Sequence, residues 1–367
     1  MRLVADAGLW STEGPQPPTL LTAVLEVSGA VLAWQVDSGD GPRITFTDLR
    51  RADWLWRVIG EAGHVEISTR AHRAPRLESV LDFGHLAVDP NAVAPLRKIA
   101  LGHWLRRWWP GSARDGIVAL DPALLDAELA VLTDAAQHFF TDNTFDSDVA
   151  ALLAPHAVAL ALHAATGDPR VTGLVRACTE LADELGMEQP GWSELKTLLE
   201  QSPPPGTPGV RSDYALAAGP PRQPGVGVVA GGVASLMWAA VPAAVFDAAE
   251  NTINWSIVAT GAQPFAVVTV QTANTLGAAG IPVRLVSGAV SAVGVLDDAG
   301  GAVLPLETMS ESAAWDQDWS TTTVTVGAET AEEAQLRDRV RSIARARLTQ
   351  PRADAYLAEI LAAESDY

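Results

Sequence analysis

Cysteine and lysine are the two residue types this chain nearly lacks. One cysteine, Cys178, stands among 367 residues, which excludes an intrachain disulfide framework and every zinc site that needs two or more thiolates. That usage points to a reducing compartment, the cytoplasm. Lysine occurs twice, as Lys98 and Lys196. Neither follows a glycine, so no Gly-Lys-Ser/Thr loop carries an ammonium to nucleotide phosphates, and a P-loop ATPase is excluded. Lys98 lies in an arginine- and tryptophan-rich helical stretch and Lys196 on a short polar helix; neither setting is that of a Schiff-base enzyme. HExxH and the Gly-x-Ser-x-Gly elbow are absent. His64-Val65-Glu66 spells the His-x-Glu of zinc deaminases, whose second motif needs two cysteines. Basic residues are outnumbered 44 to 25, and the net charge of -19 argues against general affinity for nucleic acid or anionic membrane.

What is present is ample apolar material. With 48% hydrophobic and 19% charged residues, the chain can core two or three domains. Asp6 and Glu13 interrupt the start where a secretory signal needs an unbroken apolar core. Residues 149–166 and 225–246 are long uncharged runs, but the first holds Pro155, His156 and His163, and the second is too rich in glycine and valine for a stable helix.

The pattern predicts a multidomain α+β protein. Residues 1–92 read as a small α+β unit, with strand-like runs over 19–36 and 43–46 and one helix over 48–60. Residues 93–201 read as a helical domain, in which Asp121-Pro122 and Asp168-Pro169 open helices: aspartate caps free amides and proline has no amide to lose. SPPPGTPG marks a Pro/Gly linker over 202–212. Short valine-, threonine- and glycine-rich runs over 213–327 predict a β-sandwich-like domain, with LDDAGGAVL as a hairpin turn. Residues 328–367 read as a C-terminal helical segment broken near Pro351. GVGVVAGG at 225–232 resembles a dinucleotide fingerprint only in spelling, since no βαβ unit surrounds it.

Three sets of side chains are candidates. Arg97, Arg106 and Arg107 interleave with Trp104, Trp108 and Trp109, a combination that grips carboxylates and anchors an interface, so the stretch is a candidate surface for an acidic protein partner. As an amphipathic helix its tryptophans would instead be core. Asp142, Asp146 and Asp148 are close enough to hold Ca²⁺ or Mg²⁺, although Ser147 and Leu153 replace the glycine and glutamate of an EF-hand; the alternative is that Ser147 or Asp148 caps a helix. His138 and His156 join these aspartates as candidates for a metal-dependent hydrolase. His156 and His163, seven apart, would share one helix side if Pro155 leaves it straight.

WAAVPAAVFDAAENTINW (238–255), together with LRRWWPGSARDGIVALDPALLDAEL (105–129), resembles uncharacterised proteins of actinobacteria, some of which accompany ATPases in multi-gene conflict or stress operons. The resemblance rests on no catalytic motif and assigns no active-site residue; it implies a protein partner, an ATPase encoded nearby. With no complete catalytic constellation, the expectation is a non-enzymatic, cytoplasmic interaction or scaffold subunit without a cofactor, and the alternative is a metal-dependent hydrolase.

Overall fold

Alternation of apolar and polar residues sets the N-terminal sheet, because side chains two apart share a face. The computed structural model describes residues 1–12, 18–74, 79–140, 145–187, 191–201, 227–260, 263–273, 277–307 and 309–365. Among them β1 (Arg2–Asp6), β2 (Leu9–Thr12), β3 (Thr22–Val27), β4 (Ala30–Gln35), β5 (Arg43–Phe46) and β6 (Val80–Asp82) pair antiparallel in the order β3-β4-β5-β2-β1-β6. The β3–β4 turn needs Gly29, whose φ of +69° is left-handed and where a Cβ would collide with Asp48 O.

The single helix expected over 48–60 is shorter, α1 (Leu55–Ile59), and is followed by an unexpected second, α2 (Glu61–Arg73). The reason is the thinness of its apolar stripe: only Gly63, Ile67 and Ala71 are buried, too weak a period to read from sequence. The helical region contains α3 (Pro90–Trp108), α4 (Pro122–Ala135), α5 (Phe145–Leu153), α6 (Ala157–Ala164), α7 (Pro169–Glu184) and α8 (Trp192–Gln201). Asp121 accepts from Leu124 N at 2.9 Å and Asp168 from Arg170 N at 2.8 Å, as the Asp-Pro pairs predict. Asp89-Pro90 is a third such start, with Asp89 accepting from Asn91 N at 2.9 Å.

Pro155 interrupts the uncharged run over 149–166, and α5 and α6 are bent by 55°. That pair together has the length and composition of a span; no single helix among the described residues is long and apolar enough to cross a membrane.

Among the described residues the β-domain has two antiparallel sheets. One is β12 (Gly301–Pro305), β9 (Phe265–Val270), β8 (Ile253–Val258) and β7 (Val228–Ala234), in that order; the other is β11 (Val290–Val295), β10 (Pro282–Ser287) and β13 (Thr323–Val326). Inward residues of both, among them Ile257, Val268 and Leu304 against Val283, Leu285 and Val324, form one core, which makes the arrangement sandwich-like. The uncharged run at 225–246 supplies strand β7. LDDAGGAVL turns as expected but is no hairpin, because β11 and β12 belong to different sheets. Asp297 Oδ1 binds the amides of Ala299 and Gly301 at 2.9 and 2.7 Å, a corner that carries the chain across the core. Turn chemistry fixes the reversal, not the sheet each arm joins.

The C-terminal segment contains α10 (Ala334–Thr349) and α11 (Leu357–Ser365), broken at Pro351 as expected; a short α9 (Glu311–Asp316) precedes β13. The chain divides into two compact units: Met1–Arg106, Leu120–Val210 and Ala346–Tyr367 in one, Arg107–Ala119 and Arg211–Arg345 in the other. Residues 1–92 and most of 93–201 fall in the first of these units, and 328–367 is divided after Arg345. The sheet leans on the helices: Ser28 N donates to Phe139 O at 3.0 Å and the Trp54 and Phe139 rings lie 5.9 Å apart. The predicted linker falls outside the described residues.

In the first unit Tyr356 is fully buried and its hydroxyl donates to Lys98 O at 2.7 Å. A Cβ at Gly102 would collide with that ring and lie 2.8 Å from Leu129 Cδ1. Gly102→Ala is therefore expected to cost about 1 to 3 kcal/mol, read as a lower urea midpoint. Gly173→Ala, where a Cβ on α7 meets open space, should instead stabilise by roughly 0.5 to 1 kcal/mol.

Candidate functional site

The arginine–tryptophan stretch is divided between the units. In the first, Arg97 Nη2 donates to Ser38 O at 2.6 Å, and Trp104, 2% exposed, donates from Nε1 to Leu20 O at 2.8 Å. Trp104 is therefore a core residue rather than a surface anchor. Arg106 Nε lies 2.6 Å from Asp126 Oδ1. In the second, Arg107 Nη2 donates to Trp238 O at 2.9 Å with its guanidinium 4.2 Å from the Trp108 ring centre, and half-buried Trp109 donates to Val118 O at 2.8 Å. Burial lowers the Arg107 pKa from its ordinary value, opposed by the Glu332 carboxylate.

Asp142 lies outside the described residues. Asp146 and Asp148 are exposed in the first turn of α5, where carboxylates complement the helix dipole. Among the described residues no three His, Cys, Asp or Glu side chains converge as a metal site would require. Exposed His138 sits against Phe139, ring centres 4.4 Å apart, while His156 pairs with Asp126, at 3.0 Å from Nε2 to Oδ2. His163 makes a parallel pair with Asp121 at 2.8 Å. Both histidines reach α4 because Pro155 places His156 at the start of α6 and His163 in its last turn. The Asp121 bond raises the His163 pKa above its ordinary value despite burial; burial alone would raise Asp121, but its bonds from His163 and Leu124 N outweigh that and lower it. His103, beside Arg106 and Asp126, is lowered by burial and by Arg106. These are oriented imidazole–carboxylate pairs.

The densest polar assembly lies in the second unit, where residues 107–119 meet 238–255. Buried Asp247 accepts from Ser112 Oγ at 2.6 Å, Ala113 N at 3.1 Å and Ala249 N at 2.9 Å. Ala248 N donates to Gly111 O at 3.1 Å, and Arg114 Nη1 to the carbonyls of Glu250 and Asn251 at 3.0 and 3.2 Å. From α10, Arg337 grips both Glu250 oxygens at 2.7 and 2.9 Å, while Arg341 donates to Glu250 at 2.9 Å and to Ala248 O at 3.0 Å. Arg337 also meets Glu332 at 3.2 Å, whose carboxylate caps Trp238 N and Ala239 N at 3.2 and 2.9 Å. Arg341 is further paired with Asp338 and lies 5.6 Å from the Trp238 ring centre.

Chemically this is a closed network. Both guanidinium heads are matched by carboxylates, so their positive charge is already neutralised where an incoming anion would need it. Sequence reading missed it, although a signal exists: Arg337 and Arg341 fall on the same helix stripe as buried Val340 and Ala344. An arginine inside an apolar stripe needs an acid facing it.

Comparison with known proteins returns no match: no known family, no curated protein and no solved structure is significantly similar to the chain.

Burial would raise the Glu250 carboxyl, but bonds from Arg337, Ser235 and Arg341 hold it down at about 2. A depressed carboxyl contributes stability that is fully present above its ordinary 4.5 and lost as the pH falls toward about 2. Wild type should therefore lose stability over that window, and Glu250→Gln should flatten the slope in pH-dependent urea unfolding. Arg337→Ala, which leaves Glu250 short of its bidentate partner, is expected to cost about 3 to 5 kcal/mol at neutral pH.

Proposed function

We propose that the chain is a non-enzymatic, cytoplasmic protein-interaction or scaffold subunit whose β-domain supplies a contact surface. The observation that carries this reading is the outward set of valines on both sheets: Val233 on β7, Val293 and Val295 on β11, and Val303 on β12 are 57%, 66%, 60% and 64% exposed. Antiparallel sheets with a face in water ordinarily turn polar residues outward; here much of the outward set is valine with serine, threonine and glycine. Val293 and Val295, two apart on β11, share one outward face, and adjoining exposed apolar side chains of this kind mark protein contact sites. The net charge of -19 supports a protein surface over a polyanion as the occupant. The expectation that a partner is an ATPase encoded nearby rests on the sequence resemblance alone.

The competing reading, a metal-dependent hydrolase, has the His156–Asp126 and His163–Asp121 pairs in its favour, since a carboxylate-oriented imidazole suits ligation or proton transfer. Elemental analysis of purified protein separates the two: stoichiometric divalent metal lost in His156→Ala would support the hydrolase.

The interaction reading is tested by co-purification from native extract with quantitative mass spectrometry. Replacing Val293 and Val295 together by lysine is expected to reduce recovery of specific partners by about tenfold, a loss near 1.4 kcal/mol, with the thermal midpoint unchanged. If that variant keeps its partners while Arg106→Ala/Arg107→Ala loses them, the contact moves to the basic helix. Turnover of a metabolite by partner-free protein would overturn the proposal.

A further inference from the structure

We propose that the outer edge of β7 is a self-association edge, at which two copies of this chain join β7 to β7 antiparallel about a two-fold axis and continue the four-stranded sheet from one copy into the other. The inference rests on the reading of the β-domain as a contact surface and names a second copy as one occupant. β7 stands at the end of the order β12-β9-β8-β7, and among the described residues no strand pairs with its outer side. An unpaired edge is a row of amides and carbonyls ready for another strand, and proteins that must not pair there protect it with lysine, proline or an inward charge. The seven residues of β7 contain neither proline nor charge, and no charged residue lies between Gly227 and Phe246.

Of the other edges in the β-domain and at β3, three are protected, and the uncharged edge β11 has Gly294 packed close against Leu304 of β12. β3 carries exposed Glu26. β12 ends on Pro305, and just past β13 the Ala328 amide is taken by Ala240 O at 2.9 Å.

The occupant follows from charge and fit. A second copy of a chain with net charge -19 is repelled except where both surfaces are neutral. The outer face beside β7 is neutral: Asn254, Ser256 and Val258 on β8, then Phe265, Val267 and Thr269 on β9. Directly opposed residues in an antiparallel joint share a face, so a two-fold axis through Gly232 sets exposed Val233 opposite exposed Gly231 of the second copy. The valine then lies over a residue with no side chain. On the inner face Gly232 meets its own equivalent, and no Cβ stands there because the Trp255 ring occupies that space, 2.7 Å from where one would be. The joint pairs Ala230–Ala234 of each copy, about 17 Å at 3.4 Å per residue, a small interface whose association is expected to be weak.

Sedimentation equilibrium of the full chain from about 1 to 200 µM tests this, the range in which so small a joint dissociates. The expected result is a mass rising from 38.5 kDa toward twice that value, as strongly at high salt as at low, together with slower amide exchange over 230–234 as concentration rises. Val233→Lys should weaken association about tenfold or more, whereas Val293→Lys, on the other sheet, should leave the curve unchanged. A single 38.5 kDa species throughout, or association indifferent to Val233→Lys, overturns the inference. If the chain is monomeric but Val233→Lys loses a co-purifying protein, only the second copy is wrong and the contact reading stands. If lysine at Val233 and at Val293/Val295 changes neither mass nor co-purifying proteins, both fall.

Discussion

Two arginines on one helix share one carboxylate, and the second unit is arranged around that constraint. Arg337 and Arg341, 5% and 3% exposed, cannot stand buried without matched acceptors, because an unpaired charge away from water costs several kcal/mol. Glu250 meets both, so the segment that carries it is held at the face of α10. That segment adopts left-handed backbone at Ala244 and Asn251, with φ of +59° and +57°, conformations that non-glycine residues keep only when their surroundings hold them. Asp247, three residues earlier, reaches the other way to Ser112 and Ala113. One helix, one loop of the β-domain and the 107–119 peptide are thereby set in a single register.

The first unit repeats the device on a smaller scale. Glu359, fully buried, is gripped by Arg347 at 2.5 and 2.9 Å and also accepts from Tyr356 N at 2.9 Å. These bonds fix the start of α11 and with it the ring that fills the space left by Gly102. The imidazole pairs on α4 and α6 belong to the same pattern of charge: in a chain with 44 acids and two lysines, arginine and histidine meet several of the partly buried carboxylates. Arginine suits this because its planar fork satisfies two acceptor oxygens at once.

The β-domain differs in kind. Its core is apolar throughout the two sheets, and its outward positions carry little of the charge that usually keeps a sheet solitary. Stability there comes from burial across the sandwich, and the outer residues can vary without disturbing the core, since alternate side chains along a strand point to opposite sides.

The sequence by itself determined the elements whose causes are local. Asp121-Pro122 and Asp168-Pro169 opened helices because cap and missing amide act within one turn, and the valine-rich runs became strands because period-two alternation is a property of the strand alone. It also delimited the chemistry, since one cysteine and two lysines exclude whole classes whatever the fold. Only the tertiary structure decided that Trp104 is core while Trp109 is half-exposed, that 107–119 belongs with the β-domain, and that LDDAGGAVL joins two sheets rather than two strands of one. It alone brought Glu250 to Arg337, residues 87 apart in the chain. Each of these depends on which distant surface buries a side chain, and burial is a property of the folded pair of surfaces that no window of neighbouring residues contains.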